Sequence, residues 1–336
     1  MRYLILIFLF LTLSGKSDAQ NYLFSYFTDN GQDGLHLAFS HDGLKWQPLR
    51  NGKSFVTPTV GEDKLMRDPF ILQDGDGEFH MVFTCSWKDR QIGYASSSDL
   101  IHWSEQKAIP VMAHEPAAKN CWAPEMVYDP KHKNYIIFWA TTIPGRHSEV
   151  ASSENEKGFN HRIYCTYTTD FQSFSPTKLF FNPDFSVIDA TIFPKGGIYY
   201  MFLKNENPNP PEKNIRITQS KSAAGPYPTK VSDPITGKYW AEGPTVLQVD
   251  DYVYVYFDKY TQNKYGAIRS KNMKEWEDVS VNYWGKTYFK RVLELEERNA
   301  ERDCIGFINS EYETHFILPW QKNYIMIEGK TFYKFN

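Results

Sequence analysis

The 336-residue sequence lacks the features that mark several common classes of protein. It has four cysteines and no C-x-x-C pair, which excludes a disulfide-rich scaffold, a zinc finger and a dithiol redox site. Its 37 basic and 40 acidic residues give a net charge of -3, so no basic excess directs it to nucleic acid or to an anionic membrane surface. It also has no G-x-S-x-G motif, the local signature of many serine hydrolases.

The apolar run near the N-terminus is too short to cross a membrane. Arg2 precedes an apolar core at residues 4–13, and Ser17-Asp18-Ala19 has the small-x-small pattern of a cleavage site. A membrane-spanning helix needs about 20 apolar residues. Residues 1–19 are therefore predicted to be a secretory signal peptide, and we expect a periplasmic or secreted protein that is not inserted in a membrane.

The residues that are abundant favour strands. Aromatic residues make up 16% of the chain and hydrophobic residues 41%, which is enough for a large core, and aromatic side chains favour strands. Helical periodicity is nearly absent. Five similar segments recur, each an alternating strand followed by a Ser/Thr and Asp/Asn/Gly turn and an aromatic residue. They are residues 35–46, 92–103, 163–174, 215–227 and 265–276.

A second kind of segment precedes four of these five, and it holds a short apolar strand, a turn and a longer aromatic strand. These segments are residues 67–87, 123–142, 189–205 and 242–260. Four antiparallel strands repeated about every 50 residues are typical of a β-propeller blade. The sequence therefore predicts an all-β, five-bladed propeller over residues 20–295, closed by a C-terminal strand at Thr287–Leu295, with residues 296–336 as an extension packed on it.

An acidic residue stands near the start of each complete inner strand. These residues are Asp68 in MRDPF, Glu125 in WAPEM, Asp189 in VIDAT and Glu242 in AEGPT. The inner strands of a propeller run in the same direction, so their first residues are expected to meet at one mouth of the central channel. A single acid there is also a common turn former, but four at corresponding positions favour a carboxylate site. Converging carboxyls can divide into an acid and a base, as glycoside hydrolysis requires.

The antiparallel second strand of each blade ends at the same mouth and adds further side chains. Trp87 and Trp122 are predicted to stack on substrate, with core packing as the alternative for each. Arg67, Lys204 and Lys259 are predicted to bind hydroxyl groups or to lower the pKa of a carboxyl. The same geometry brings Cys85 near Cys121, so both a disulfide and two free buried thiols stay open.

The stretches MRDPF, NCWAPE, SVIDATI and WAEGP, in this order on repeating blades, resemble glycoside hydrolase family 43 over residues 21 to about 290. The resemblance implies that Asp68 is the general base, that Asp189 orients groups and modulates a pKa, and that Glu242 is the general acid. Glu125, in the Trp-Ala-Pro motif, is implied to lie beside the substrate. The implied reaction is inverting hydrolysis of arabinofuranosides, xylosides or galactosides.

The sequence departs from that family on the last blade. Relatives often carry an Arg-His-Gly-Thr stretch whose histidine sits near a calcium ion, whereas this chain has Trp284-Gly285-Lys286-Thr287. We therefore expect no metal ion or other cofactor to be essential. The favoured interpretation is an exo-acting α-L-arabinofuranosidase that acts as a monomer on oligo- or polysaccharide, with a β-xylosidase or galactofuranosidase as the enzymatic alternative. A propeller that binds glycans without cleaving them is the alternative of another class.

Overall fold

The computed structural model describes residues 22–148, 158–207, 211–262 and 264–280, and three short strands at 305–307, 324–327 and 330–333. The predicted signal peptide and the predicted closing strand at Thr287–Leu295 lie outside these residues. The regular secondary structure of the described chain is almost entirely β-strand, and the strands form the five antiparallel sheets of a β-propeller. No helix in these ranges is long and apolar enough to cross a bilayer.

The strands follow one another from the inside of each blade to the outside. In chain order they are β1 (Tyr22–Tyr26), β2 (His36–Ser40), β3 (Gln47–Pro48), β4 (Arg67–Gln73), β5 (Phe79–Thr84), β6 (Ile92–Ser97), β7 (Lys107–Ile109), β8 (Trp122–Asp129), β9 (Asn134–Thr142), β10 (His161–Thr168), β11 (Lys178–Phe181), β12 (Val187–Lys195), β13 (Ile198–Asn205), β14 (Asn214–Ser220), β15 (Glu242–Val249), β16 (Tyr252–Lys259), β17 (Lys264–Ser270), β18 (Glu277–Asp278), β19 (Ile305–Phe307), β20 (Tyr324–Ile327) and β21 (Lys330–Tyr333). Blade 1 is β19-β1-β2-β3, blade 2 is β4–β7, blade 3 is β8–β11, blade 4 is β12–β14 and blade 5 is β15–β18.

Blade 1 takes its fourth strand from far along the chain. Strand β19 pairs antiparallel with β1, with Phe24 opposite Phe307 and Tyr26 opposite Ile305. The missing inner strand of this blade was predicted to be Thr287–Leu295, and the strand found in that place among the described residues is the later Ile305–Phe307. Strands β20 and β21 form a separate hairpin.

Blade 4 has three strands among the described residues, where four were predicted. The chain that follows β14 runs beside it and makes only scattered backbone bonds, from Ser232 N to Ile217 O and from Ile235 N to Ile215 O. Pro228 and Pro234 interrupt this stretch. Proline has no N–H to donate, so a continuous ladder does not form here.

The repeated Ser/Thr–Asp/Asn segments are turns closed by side chains. Oδ1 of Asp42 accepts hydrogen bonds from the backbone N–H groups of Leu44 and Lys45. Equivalent pairs of bonds are made by Asp99, Asp170 and Asn272. A short side-chain acceptor that bonds the backbone two and three residues ahead is a strong turn former. This explains why the motif recurs at the outward turn of four blades.

The apolar core lies between consecutive blades. One cluster joins blades 1 and 2 through residues such as Leu37 and Met81, and similar clusters join each following pair. Blade 5 packs on blade 1, where the rings of Trp46 and Tyr256 meet edge to face at 6.3 Å. Each blade is thus held by apolar contacts on both sides, and the ring of blades surrounds the strand starts that carry the acidic residues.

The described cysteines are free thiols. Cys85, Cys121 and Cys165 are buried and none forms a disulfide. Cys85 packs in the cluster between blades 1 and 2, whereas Cys121 packs in the cluster between blades 2 and 3. Of the two alternatives that the sequence left open for Cys85 and Cys121, the structure has the free buried thiols.

Candidate active site

The four inner strands β4, β8, β12 and β15 begin with the same backbone irregularity. In each, two residues of the inner strand stand opposite one residue of the next strand, which is a β-bulge. The first residue of each of these four bulges has a positive φ of 45–57°, and these residues are Asp68, Ala123, Asp189 and Gly243. The bulge re-aims the side chain at this position relative to a regular strand.

The register places the four carboxyl side chains at three different positions, and the prediction that all four correspond was wrong. Asp68 and Asp189 occupy the left-handed position of the bulge. Glu242 lies one residue before it, and Glu125 lies two residues after it. Asp68, Glu125 and Asp189 keep partial contact with solvent, while Glu242 is 7% exposed.

Hydrogen bonds within and between blades hold the two aspartates. Thr84 Oγ1 donates to Asp68 Oδ2 at 2.8 Å and accepts a bond from the backbone N–H of Ala123 at 2.8 Å. On the other side, the backbone N–H of Gly243 donates to Asp189 Oδ2 at 3.0 Å. In both cases a backbone N–H of one bulge donates to a group of the preceding blade. The bulges therefore help to fix the carboxylates.

Glu242 is joined to a buried chain of alternating charges. Lys204 Nζ lies 2.6 Å from Glu242 Oε2 and 2.6 Å from Glu206 Oε2. Glu206 Oε1 in turn lies 2.8 Å from Nζ of Lys213. Burial opposes the charge on Lys204, but Glu206 and Glu242 outweigh it and raise the pKa of the ammonium. The structure brings Lys204, one of the residues predicted to bind substrate, into contact with Glu242.

We expect Lys204→Met to destabilise the fold. The change keeps most of the side-chain volume but leaves Glu242 without its buried cation and Glu206 with Lys213 alone. Removing one partner of a buried pair typically lowers the free energy of unfolding by about 3–5 kcal/mol. Urea unfolding measures the loss.

The matched control for this prediction is Lys271→Met. Lys271 lies 3.5 Å from Asp251 in a solvent-exposed pair, and such pairs contribute roughly 0–1 kcal/mol. An equal effect of the two changes would mean that breaking the buried Lys204 cluster costs no more than breaking an exposed ion pair.

Two carboxyl groups of the cluster have a raised pKa. Burial, together with Glu242 and Asp68 and against Lys204, raises the pKa of Asp189 to about 8. Burial also raises the pKa of Glu125 well above its usual value, assisted by Asp189 and Asp68 and opposed by a hydrogen bond with Thr191. Asp68 and Asp189 therefore both act on Glu125. Asp189 in turn is influenced by Asp68, the base candidate, and by Glu242, the acid candidate.

The raised pKa of Asp189 makes stability depend on pH. An unfolded Asp titrates near 3.9, so between about pH 4 and pH 8 the folded state holds a proton that the unfolded state has lost. The stabilisation from protonated Asp189 is complete below about pH 4 and declines as the pH rises through 8. We expect wild-type protein to lose stability relative to Asp189→Asn over this interval, because the amide does not titrate.

Urea unfolding of both proteins at several values between about pH 4.5 and 8.5 measures this difference. Asn tolerates the left-handed backbone and its Oδ1 accepts the bond from Gly243, so the variant changes little besides the titration. A difference between the two proteins that stays constant with pH would contradict the raised pKa.

The predicted aromatic residues form a wall beside Asp68. The rings of Trp87 and Trp122 meet edge to face at 5.6 Å, and Trp122 Nε1 donates to Trp87 O at 3.0 Å. Arg67 is buried, and its guanidinium lies 4.4 Å from the Trp87 ring and 4.6 Å from the Phe27 ring. Both tryptophans are partly exposed. Arg67 therefore supports the wall through cation–π contacts.

Lys259 is not brought to the carboxylates. Its ammonium lies 2.9 Å from Ser280 Oγ and 3.9 Å from the centre of the Tyr239 ring. Side chains alternate along a strand, and Asp258 is the residue of β16 that stands opposite Glu242. Lys259 therefore points to the other side of the sheet, toward the outer strands of blade 5.

Three residues of the mouth were missed by sequence reasoning. Glu206 and Tyr260 follow directly after second strands, and Trp240 precedes Glu242 by two residues in the WAEGP stretch. The Tyr260 ring centre lies 4.7 Å from Lys204 Nζ and 5.7 Å from the Trp240 ring. The signal that could have found them was their position immediately beside residues already identified at the mouth.

The described residues contain no group of three or more His, Cys, Asp or Glu side chains arranged to hold a metal ion. The stretch Trp284–Thr287, in which the family histidine is absent, lies outside these residues. Carboxyl oxygens of Asp68, Asp189 and Glu242 are engaged by hydroxyl, backbone amide and ammonium donors, respectively. The described donor set does not fit a calcium site.

Comparison with known proteins agrees with this architecture. The model of a glycosyl hydrolase 43-related family, described as a probable glycosyl hydrolase domain, matches residues 17–291. A curated α-L-arabinofuranosidase of Bifidobacterium longum subsp. longum is 24% identical over 185 residues, which are 49% of this chain and 17% of that protein. The match thus spans less than a fifth of the length of that relative.

One solved structure shows the same fold, and others are less similar. An α-L-arabinofuranosidase from Lactobacillus brevis has a TM-score of 0.51 at 18% identity, covering 64% of this chain and 73% of that one. An exo-β-1,3-galactanase from Clostridium thermocellum has a TM-score of 0.47 at 13% identity, covering 66% of this chain and 50% of that one. At these identities the first similarity concerns the fold alone.

Proposed function

Because the chain belongs to the glycosyl hydrolase 43-related family, we propose that it is a secreted, exo-acting and inverting α-L-arabinofuranosidase of plant polysaccharide side chains. The observation that carries the proposal is the group of carboxyls at one mouth of the propeller, with Asp189 electrostatically coupled to both Asp68 and Glu242. A protein that only binds glycans has no need for three interacting carboxyls beside an aromatic wall.

Asp68 is the proposed general base. Thr84 and the backbone of blade 3 fix its carboxylate, and its partial exposure gives a water molecule access. In an inverting glycosidase the base removes a proton from this water as the water attacks the anomeric carbon. The attack comes from the face opposite the leaving group, which requires the acid and the base to be about 6.5–9.5 Å apart.

Glu242 is the proposed general acid. Lys204 engages Oε2 of its carboxyl, which leaves Oε1 as the oxygen that would hold the proton and deliver it to the leaving oxygen. Asp189, with its pKa raised to about 8, would hold a proton near Glu242 at neutral pH and make hydrogen bonds to the substrate. Glu125, bonded to Thr191, would contact the substrate from blade 3.

The names of similar proteins support the choice of sugar. Both the curated relative and one structural neighbour are called α-L-arabinofuranosidases, and a β-xylosidase or galactofuranosidase with the same three carboxyls stays the alternative. Exo action is supported by the length of two connections in the sequence, residues 143–160 and 206–213, which follow the second strands β9 and β13. The apolar residues 4–13, followed by a small-x-small site, support secretion.

A panel of nitrophenyl glycosides tests the proposal, with α-L-arabinofuranoside, β-D-xyloside, β-D-galactofuranoside and β-D-galactopyranoside in parallel. We expect the arabinofuranoside to be cleaved fastest, and NMR of early products to show the inverted anomeric configuration. Faster cleavage of another glycoside would contradict the assignment of arabinofuranoside as the substrate. A retained configuration would overturn the roles of Asp68 and Glu242. Glycan binding without any hydrolysis would favour the non-catalytic propeller.

A further inference from the structure

Trp240 is an unusually exposed large side chain at the mouth. Among the described residues, the large hydrophobic side chains with strong exposure are Trp240, at 39%, and Leu179, at 44%. A single exposed apolar residue is ordinary on a protein surface. Trp240 differs from Leu179 in its surroundings, because it lies two residues before Glu242 and is held by other groups of the site.

Those groups connect Trp240 to the acid candidate by direct contacts. The rings of Trp240 and Tyr260 have centres 5.7 Å apart and are inclined by 49°. The Tyr260 ring centre lies 4.7 Å from Lys204 Nζ, which itself lies 2.6 Å from Glu242 Oε2. Lys213 Nζ lies 5.9 Å from the centre of the Trp240 ring. The Trp240 indole is therefore held by Tyr260 and Lys213, while part of its surface faces solvent.

The direction of the chemistry indicates which part of a substrate meets this surface. A general acid must contact the oxygen of the leaving group, so the leaving group lies on the side of Glu242. The sugar that is attacked lies toward Asp68 and the wall of Trp87 and Trp122. We propose, on the basis of the function given above, that Trp240 and Tyr260 form the platform on which the ring of the leaving-group sugar stacks.

The charges around the platform point to a neutral sugar. Lys204 is shared by Glu242 and Glu206, and Lys213 is paired with Glu206. Both ammonium groups thus already have Glu206 as a carboxylate partner among the described residues, which favours a neutral sugar over a uronic acid. Partly exposed aromatic rings with polar groups at their edges suit the apolar face and the hydroxyl rim of a pentose or hexose.

Trp240→Ala tests the platform with two substrates that share one glycone. The first is the glycosyl fluoride, whose leaving group has no ring, and the second is an oligosaccharide that ends in the same sugar. We expect kcat/KM for the oligosaccharide to fall about tenfold, mainly through KM, because one aromatic contact contributes about 0.5–1.5 kcal/mol beyond buried area. The glycosyl fluoride should react within about twofold of the wild-type rate.

Two further variants calibrate the result. Trp240→Phe keeps a ring and should recover most of the loss, which separates stacking from a failure to fold. Leu179→Ala removes the other exposed apolar side chain, on β11 at the outer edge of blade 3, and should change neither substrate. Equal losses on both substrates for Trp240→Ala, or no loss on either, would overturn the platform.

A binding measurement separates this inference from the proposed activity. The oligosaccharide is titrated by calorimetry into Asp68→Asn and into Asp68→Asn with Trp240→Ala, neither of which needs to turn over. Weaker binding to the double variant supports the platform even if the wild-type protein hydrolyses nothing. Equal affinities, or no binding to either protein, would overturn it whatever the panel of glycosides shows.

Discussion

Replacing Asp68 by Asn is expected to slow hydrolysis of every substrate by about 10²–10⁴-fold, the usual contribution of one general base. Without the carboxylate, the attacking water keeps its proton in the transition state. The loss should be the same for an aryl glycoside and for an oligosaccharide, because both need the water. Initial rates on the two substrates measure it, with kcat and KM determined separately.

Asn is the informative replacement because of the backbone at position 68. The φ of 51° lies in the left-handed region, which Asn and Asp adopt more readily than Ala. The amide also retains an oxygen that can accept the bond from Thr84 Oγ1. A loss of activity in this variant therefore reports the missing base and not a distorted bulge, and unfolding by urea checks that stability is kept.

Asp251→Asn is the matched control for this prediction. Asp251 lies in the turn between β15 and β16, with its side chain 84% exposed, and the same change there should leave the rates unaltered. A loss smaller than about tenfold for Asp68→Asn would assign the base to another carboxyl. Asp189 and Glu125 are the neighbours that share its electrostatic field.

Replacing Glu242 by Gln is expected to separate substrates by their leaving groups. An alkoxide leaving from an oligosaccharide needs a proton in the transition state, so its hydrolysis should slow by about 10²–10⁴-fold. A nitrophenolate leaves with little assistance, and its glycoside should lose far less. Plotting log kcat against the pKa of the leaving group should give a steep negative slope for the variant and a shallow one for the wild type.

Glu275→Gln is the control, because Glu275 is exposed in the turn after β17 and belongs to no part of the mouth. Parallel slopes for Glu242→Gln and the wild type would remove Glu242 from the role of acid. Gln keeps a carbonyl oxygen that can accept a bond from Lys204, so the buried ammonium is not left without any partner. The loss of the proton is then the principal change.

The blades could be predicted from the sequence, because their signals are local. Alternating strands, aromatic residues and turns that begin with Ser or Thr recur about every 50 residues, and side chains such as Asp42 and Asp99 close those turns in the structure. The outer edge of blade 4 lacks such a signal. Its prolines end the ladder, and three strands were found where the repeat predicted four.

The bulges could not be predicted, and they decide the geometry of the site. The four dipeptides at the bulges, Asp-Pro, Ala-Pro, Asp-Ala and Gly-Pro, share no side-chain pattern that marks a positive φ. Aligning the strands by their acids therefore placed Glu125 and Glu242 at positions that the backbone does not give them. The prediction of where a side chain points near a strand end fails for the same reason, as Lys259 shows.

The left-handed backbone at Asp68 also bears on how mutation would affect the activity and the stability of such a protein. The residues that relax this conformation are Gly and Asn, and neither carries a carboxylate. Substitutions at position 68 that remove the proposed base can thus preserve or even improve the fold, since a strained backbone conformation is relieved. Relaxed selection on this lineage should therefore yield stable propellers that retain the aromatic wall of Trp87 and Trp122. Inactive relatives that still recognise glycans are the descendants this geometry predicts.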